Sequence, residues 1–367
     1  ERGRGDIEEA ENIMGNSFIM LTYTGIILTV LGLLLKKPML YMFGASNMTF
    51  AYADEYITIY LLGNVFVMIS LGMNHFINSQ GFGRIGMVTM ILGAVSNIIL
   101  DPIFIFVFNM GVRGAALATI ISQFLSCLWV LRFLVSEKAI LKLKKSSFTL
   151  GKYRIRRILG LGTSGFVMQL TNSLVQILCN VTLQQFGGDL YVGIMTVINS
   201  IREIISKPVN GLTNGSQPVI GFNYGARKYN RVKESIKFIS IVSAVYNAFM
   251  WILVQTFPDF FIRIFNKDAE ILRAGIPAIR VFYLAFLFMA LQSAGQSVFV
   301  ALGKAKKAIF FSVFRKVIIV VPLTIVLPRL WNLGSMGVFL SEPISEIIGG
   351  TACYVTMVLT LRKELKA

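Results

Sequence analysis

Asp101 is the residue whose setting most asks for chemistry. It falls inside an apolar run over 85–108, where an ionised carboxylate costs about 2.5–3.5 kcal/mol on membrane-insertion scales. Asn97 lies four residues earlier, on the same face of a helix. Pro102 follows directly, removing a backbone donor and loosening the carbonyl ladder around it. A carboxylate, an amide oxygen and freed carbonyls are hard ligands suited to Na⁺, and the same carboxylate could instead carry a proton. Thr119, on the next apolar run, could add a hydroxyl. The plainer reading is that Asp101 caps a kink near the outer interface, within reach of water.

Two further sets of charges sit in apolar surroundings. Glu342 and Glu346 stand one turn apart in the final run, where two like charges in a low dielectric cannot both ionise cheaply. They form either a proton or cation site of the second half, or a structural ion pair with Arg315 or Lys316 on the preceding run. Glu203 and Lys207 are also four apart, with Glu first, the better order for a helical ion pair. Charges inside a membrane usually face a bundle interior or a wet cavity, so this pair is a candidate for cavity lining; a static packing pair is the bland alternative, and Arg202 is expected to point elsewhere. His75, beside Asn74 and Asn78 with no second His nearby, reads as a hydrogen-bonded interior side chain.

The elements that must hold these residues are membrane helices. The chain is 55% hydrophobic and 14% charged, with a mean hydropathy of +0.70, which a soluble domain of 367 residues does not match. Apolar runs long enough to cross a bilayer occur near 15–35, 56–79, 85–108, 112–135, 158–186, 191–221, 236–257, 276–301, 308–330 and 336–361. No alternating pattern persists, so ten helices are expected rather than a barrel. The net charge of +17 follows from topology, not from a nucleic-acid face. With Glu1 inside, basic residues concentrate in inside loops, above all Lys138, Lys142, Lys144, Lys145, Lys152, Arg154, Arg156 and Arg157, and both ends of the chain are cytoplasmic. Cys127, Cys179 and Cys353 are isolated within spans, without metal or redox spacing.

The chain also repeats. Gly3, Phe43, Gly44 and Gly81 recur at an offset of 222 as Gly225, Phe265, Asn266 and Gly303, and Asn109, Gly111 and Gly114 recur at 223 as Asn332, Gly334 and Gly337. Two lobes are expected, 1–135 and 158–367, joined by a basic cytoplasmic linker over 136–157. Thr119 corresponds to Glu342 at the offset of 223, whereas Asn97 and Asp101 correspond at 222 to the apolar Ile319 and Leu323. Because a long apolar stretch precedes Gly225 but only two residues precede Gly3, the first lobe is expected to hold four helices and the second six. Internal duplication of this length in an apolar chain is a hallmark of secondary transporters.

Gln217-Pro-Val-Ile-Gly221-Phe-Asn-Tyr-Gly225-Ala-Arg resembles the segment after the eighth helix of the multidrug and toxic compound extrusion (MATE) family, and Gly3-Arg-Gly-Asp-Ile-Glu-Glu-Ala resembles its partner after the second. Gln80-Gly81-Phe-Gly-Arg, Asn97-Ile-Ile-Leu-Asp101-Pro102 and Gly111-Val-Arg-Gly114-Ala-Ala resemble the fourth-to-sixth helix region. The resemblance covers essentially the whole chain. It implies a twelve-helix fold without its first two helices, and an antiporter of the cytoplasmic membrane that exchanges organic, often cationic, compounds for H⁺ or Na⁺ by alternating access. It also implies cation coupling through Asn97, Asp101 and Thr119, no cofactor, small-molecule substrates in a lipid bilayer, no nucleic acid and a monomer. The 29 Phe and 16 Met suit a deformable cavity. Alternatives are a flippase for lipid-linked or polysaccharide precursors, for which Arg202, Lys207, Arg280, Arg315 and Lys316 are the available cations, and an inactive fragment. A lone His and the lack of paired Asp motifs speak against an intramembrane enzyme.

Overall fold

The computed structural model describes residues 1–42, 49–330 and 332–364. Phe43 and Gly44 of the repeat, and the final three residues of the basic tail, lie outside them. Helices α1 (Ile7–Met42), α2 (Phe50–Leu62), α3 (Asn64–Ser79), α4 (Gly83–Pro102), α5 (Gly111–Leu134), α6 (Lys152–Gly225) and α7 (Tyr229–Thr256) are followed by α8 (Pro258–Phe265), α9 (Ala269–Phe282), α10 (Phe286–Ala301), α11 (Ala305–Val313), α12 (Val321–Val326), α13 (Ser335–Ser345) and α14 (Thr351–Glu364). There are no strands among the described residues.

Among the described residues, seven continuous helical stretches are long and apolar enough to span a membrane, and two more spans are bent pairs, α2 with α3 at 52° and α9 with α10 at 50°. The tenth comes from α6, which breaks at Gly188 (φ 64°, ψ −163°), backbone that is open essentially to glycine alone. Its two parts match the expected runs 158–186 and 191–221. The short amphipathic α8, absent from the apolar-run reading, follows Phe257 with Pro258 at its first turn, where the missing N–H costs nothing.

The chain folds as two compact units, Glu1–Ile158 and Leu159–Ala367. The first is centred on Met14, Met73, Ile77, Val130 and Leu134, all without exposed surface. The second holds two clusters, one including Ile198, Ile201, Tyr283 and Phe339 and the other Ile220, Val298 and Phe299. Outward positions remain strongly apolar, as at Leu34 and Phe106, each 73% exposed, the surface a lipid solvent requires. His75 is exposed, whereas Met73 and Asn74 on the same helix are buried. The interior histidine expected from the sequence is therefore not found, because α3 turns its neighbours inward instead. All three cysteines are free and buried.

The duplication is visible in backbone geometry. Positive φ angles occur in matched pairs at Gly5 and Arg227, Gly81 and Gly303, Asn109 and Asn332, and Gly111 and Gly334. The last two pairs build the same left-handed Asn-x-Gly turn before α5 and before α13. Gly114 then lets α5 approach the backbone of Phe104, where an added Cβ would sit 2.8 Å from its carbonyl carbon; Gly337 does the same against Leu327 and Pro328, with Cβ distances of 2.6 and 2.5 Å. Phe104 and Leu327 are themselves equivalent, so one close helix crossing occurs twice. Gly337→Ala is expected to lower stability by about 1–3 kcal/mol through overpacking against backbone. Thermal unfolding in detergent would check it against Gly211→Ala, whose Cβ would meet nothing within 4 Å; equal melting of the two variants would refute the crossing as a constraint.

The basic stretch 136–157, expected to be a linker, packs onto the first unit. Asn16 of α1 donates to the carbonyls of Ser147 (3.4 Å) and Thr149 (3.0 Å) and accepts from the Gly151 amide (2.9 Å). Glu11 accepts from the Lys142 amide and the Lys144 ammonium, and Gln80 accepts from the Leu141 amide. Arg154 pairs with Glu9 at 2.7 Å, and Arg157 with Glu1 at 2.6 Å, a hydrogen bond that holds the Glu1 carboxyl below its usual range.

Candidate functional site

Asn97, Asp101 and Thr119 come together in the first unit. The Asn97 amide donates to Asp101 Oδ1 at 3.1 Å and to Thr119 Oγ1 at 3.5 Å, while Thr119 donates to the Ala115 carbonyl at 3.0 Å. All three are half-buried. Pro102 ends α4, and a π-helical turn follows over Ile103–Val107, so the proline-loosened ladder expected from the sequence takes the form of a widened turn, a conformation often found at functional sites. Asn97 and Thr119 also line a cavity of about 210 Å³ with Ser70, Gly93, Ala94 and Gln123.

The second unit holds a larger cavity of about 350 Å³, and its charges are differently arranged from the sequence expectation. Glu342 Oε1 meets three cations: Arg202 at 2.7 Å, Lys316 at 3.0 Å and Arg315 at 3.2 Å. Glu346 Oε1 meets Arg202 at 3.2 Å and Arg315 at 3.8 Å, and its Oε2 is buried without a partner. Glu342 is therefore held in ion pairs with both Arg315 and Lys316 and Glu346 with Arg315, and Arg202, which meets both carboxylates, is the largest departure. Arg202 also lies over the Phe282 ring, 5.4 Å from its centroid. Glu203 and Lys207 do pair with each other, at 2.7 Å, but their side chains are 70% and 67% exposed and neither lines the cavity. The face of α6 that turns inward is the one carrying Arg202, Met195 and Asn199.

Local structure explains how an apolar helix bundle carries this cluster. Arg315 and Lys316 sit on a π-helical stretch, Phe314–Val320, and Glu346 begins another, Glu346–Gly350. Such turns add a residue and swing neighbouring side chains to one side. Gly349 leaves room for the Arg315 stem, since an added Cβ would lie 2.6 Å from its Cγ.

The two cavities occupy equivalent positions in the repeat. Ser70, Gly93, Ala94 and Thr119 of the first correspond to Gln292, Arg315, Lys316 and Glu342 of the second. Glu342 was legible through this offset; Arg202 was legible only as one of the cations open to a flippase cavity, and its pairing with Glu342 and Glu346 was not, because no carboxylate lies one turn away from it on its own helix. Sequence reasoning also missed the amides of Asn172, Gln176, Asn199 and Gln296 that line the second cavity.

The MatE family model matches residues 1–103 and 166–326. The chain belongs to the MatE family. Proteins of similar sequence include the multidrug export protein MepA of Staphylococcus saprophyticus, 27% identical over 349 residues that cover 94% of this chain and 76% of that protein. MepA of Staphylococcus aureus is 26% identical with the same coverage. Similar solved structures are a MATE in the bent conformation, TM-score 0.93 at 22% identity over 100% of this chain and 82% of that one. An outward-facing multidrug resistance MATE family transporter of the MOP superfamily also matches, TM-score 0.93 at 22% identity over 100% and 81%. As a MatE-family member the protein is a multi-pass membrane transporter and not an enzyme.

Proposed function

We propose that the protein exports organic compounds, as the name of its MepA relatives says of those proteins, in exchange for inward H⁺ or Na⁺ by alternating access. In this reading it lies in the cytoplasmic membrane as a monomer with both described ends cytoplasmic, and it needs no cofactor. The observation that carries the coupling is the Asn97–Asp101–Thr119 group: one intramembrane carboxylate beside an amide and a hydroxyl, at the edge of a π-helical turn. One charge moved through 100 mV supplies about 2.3 kcal/mol, and Asp101 is the group through which it would be delivered. Binding of the ion would exchange the Asn97 hydrogen bond for ion contacts and bias the access equilibrium by the difference in affinity.

The test is efflux of an organic cation dye from proteoliposomes under an imposed pH gradient or an imposed Na⁺ gradient. Asp101→Asn is expected to insert and melt normally yet lose gradient-driven efflux at least ~tenfold, about 1.4 kcal/mol of coupling. Efflux retained in that variant would refute the assignment, and the responsive gradient identifies the ion. The flippase reading draws on Arg202, Arg315 and Lys316 at the second cavity, but Lys207 and Arg280 are exposed.

A further inference from the structure

The charges around the second-unit cavity do not balance. Among the described residues, Arg202, Arg315 and Lys316 pair only with Glu342 and Glu346, leaving one surplus cation in a group of which four residues are buried. A buried charge without a partner is costly, so either a proton leaves or an anion completes the group. Three features favour the anion. The cations converge on a single oxygen, Glu342 Oε1, at the wall of an open cavity rather than inside a packed core. Asn172, Gln176, Asn199 and Gln296 surround that cavity, and their amides can donate to further oxygens. In the first unit the positions of Arg315 and Lys316 are Gly93 and Ala94, which line a neutral cavity within the same helix crossing. The fold therefore does not require this pair of cations at that place.

The remaining walls describe the rest of the ligand. Met168, Met195, Met289 and Phe282 line the same space, an adaptable apolar surface for an aromatic body. The volume, about 350 Å³, is at the small end of ligand sites, roughly 300–1,000 Å³. We propose that this cavity binds a small organic monoanion, its carboxylate against Arg202, Arg315 and Lys316 and its aromatic body against Phe282 and the methionines. A single negative charge matches the surplus, whereas a pyrophosphate group would exceed it. That the anion is cargo rests on the export reading above; that it binds does not.

The experiment is equilibrium binding of radiolabelled 1-naphthoate to the purified full chain in a buffer with gluconate as the only other small anion. Saturable binding at one site per chain is expected, with competition by unlabelled 1-naphthoate and none by 1-naphthylmethylammonium, the cation of like shape. Lys316→Gln removes the surplus while Glu342 keeps both arginines, and should weaken binding at least ~tenfold. Glu342→Gln keeps all three cations and should tighten it severalfold. A merely structural cluster would not move affinity in opposite directions. Absence of saturable binding, a shift of the same sign in both variants, or stronger competition by inorganic pyrophosphate or chloride than by 1-naphthoate would each overturn the proposal; if Lys316→Gln fails to fold, the wild-type comparison of the two naphthyl compounds and Glu342→Gln still decides. Binding retained where dye efflux is absent counts against the export reading alone, and efflux without binding counts against the anion site alone.

Discussion

Arg202→Met is expected to destabilise the second unit by about 3–5 kcal/mol, the cost of breaking a buried ion pair by removing one partner. Arg202 is the one cation within 3.5 Å of Glu346, the next being Arg315 at 3.8 Å. Glu346 is 2% exposed and already has one oxygen without a hydrogen bond. Methionine keeps an unbranched apolar stem and loses the guanidinium, so the loss is chiefly electrostatic. Glu342 suffers less, because Lys316 and Arg315 remain at 3.0 and 3.2 Å. The double variant Arg202→Met with Glu346→Gln should recover most of the loss, since the stranded charge is gone. Thermal unfolding in detergent, followed by size-exclusion fluorescence, would measure both. A single variant that melts like the wild type, or a double variant no better than the single, would show that Arg202 does not anchor Glu346.

Asn16→Leu is expected to release the basic stretch 136–157 from α1. The Asn16 side chain is wholly buried and holds the backbone of Ser147, Thr149 and Gly151 at once. Leucine has the same branching and number of side-chain heavy atoms but can neither donate nor accept, and each buried backbone group left unpaired costs about 1–3 kcal/mol. The loosened segment contains Lys142, Lys144, Lys145 and Lys152, so trypsin should cut it much faster in the variant than in the wild type. Glu11, which holds Lys142 and Lys144, would keep part of the segment in place, and Asn16→Leu with Glu11→Gln should be cut faster still. Equal cleavage rates would mean that the hydrogen bonds of Asn16 do not restrain it.

The amino-acid order by itself determined the ten spans, because an apolar run long enough for a bilayer leaves the backbone only one way to satisfy itself. It also determined the duplication, since Asn109, Gly111, Asn332 and Gly334 are residue types that tolerate the left-handed turn found in both units. The Asn97–Asp101 contact was legible for a similar reason: spacing of four fixes a shared helix face, and Thr119 follows on the neighbouring helix.

Tertiary structure alone decided which faces turn inward. Glu203 and Lys207 have the spacing of an ion pair and form one, yet their side chains are exposed, while Arg202, one residue away, is the cation that lines the second-unit cavity. His75 is exposed although Asn74 is buried. The basic stretch read as a linker is packed by contacts to residues more than 100 positions distant. In a soluble helix the polar face marks the outside; in lipid both faces of a helix are apolar, so periodicity identifies the element but not its inward side. That choice depends on the neighbouring helices, and here it placed three cations around two carboxylates.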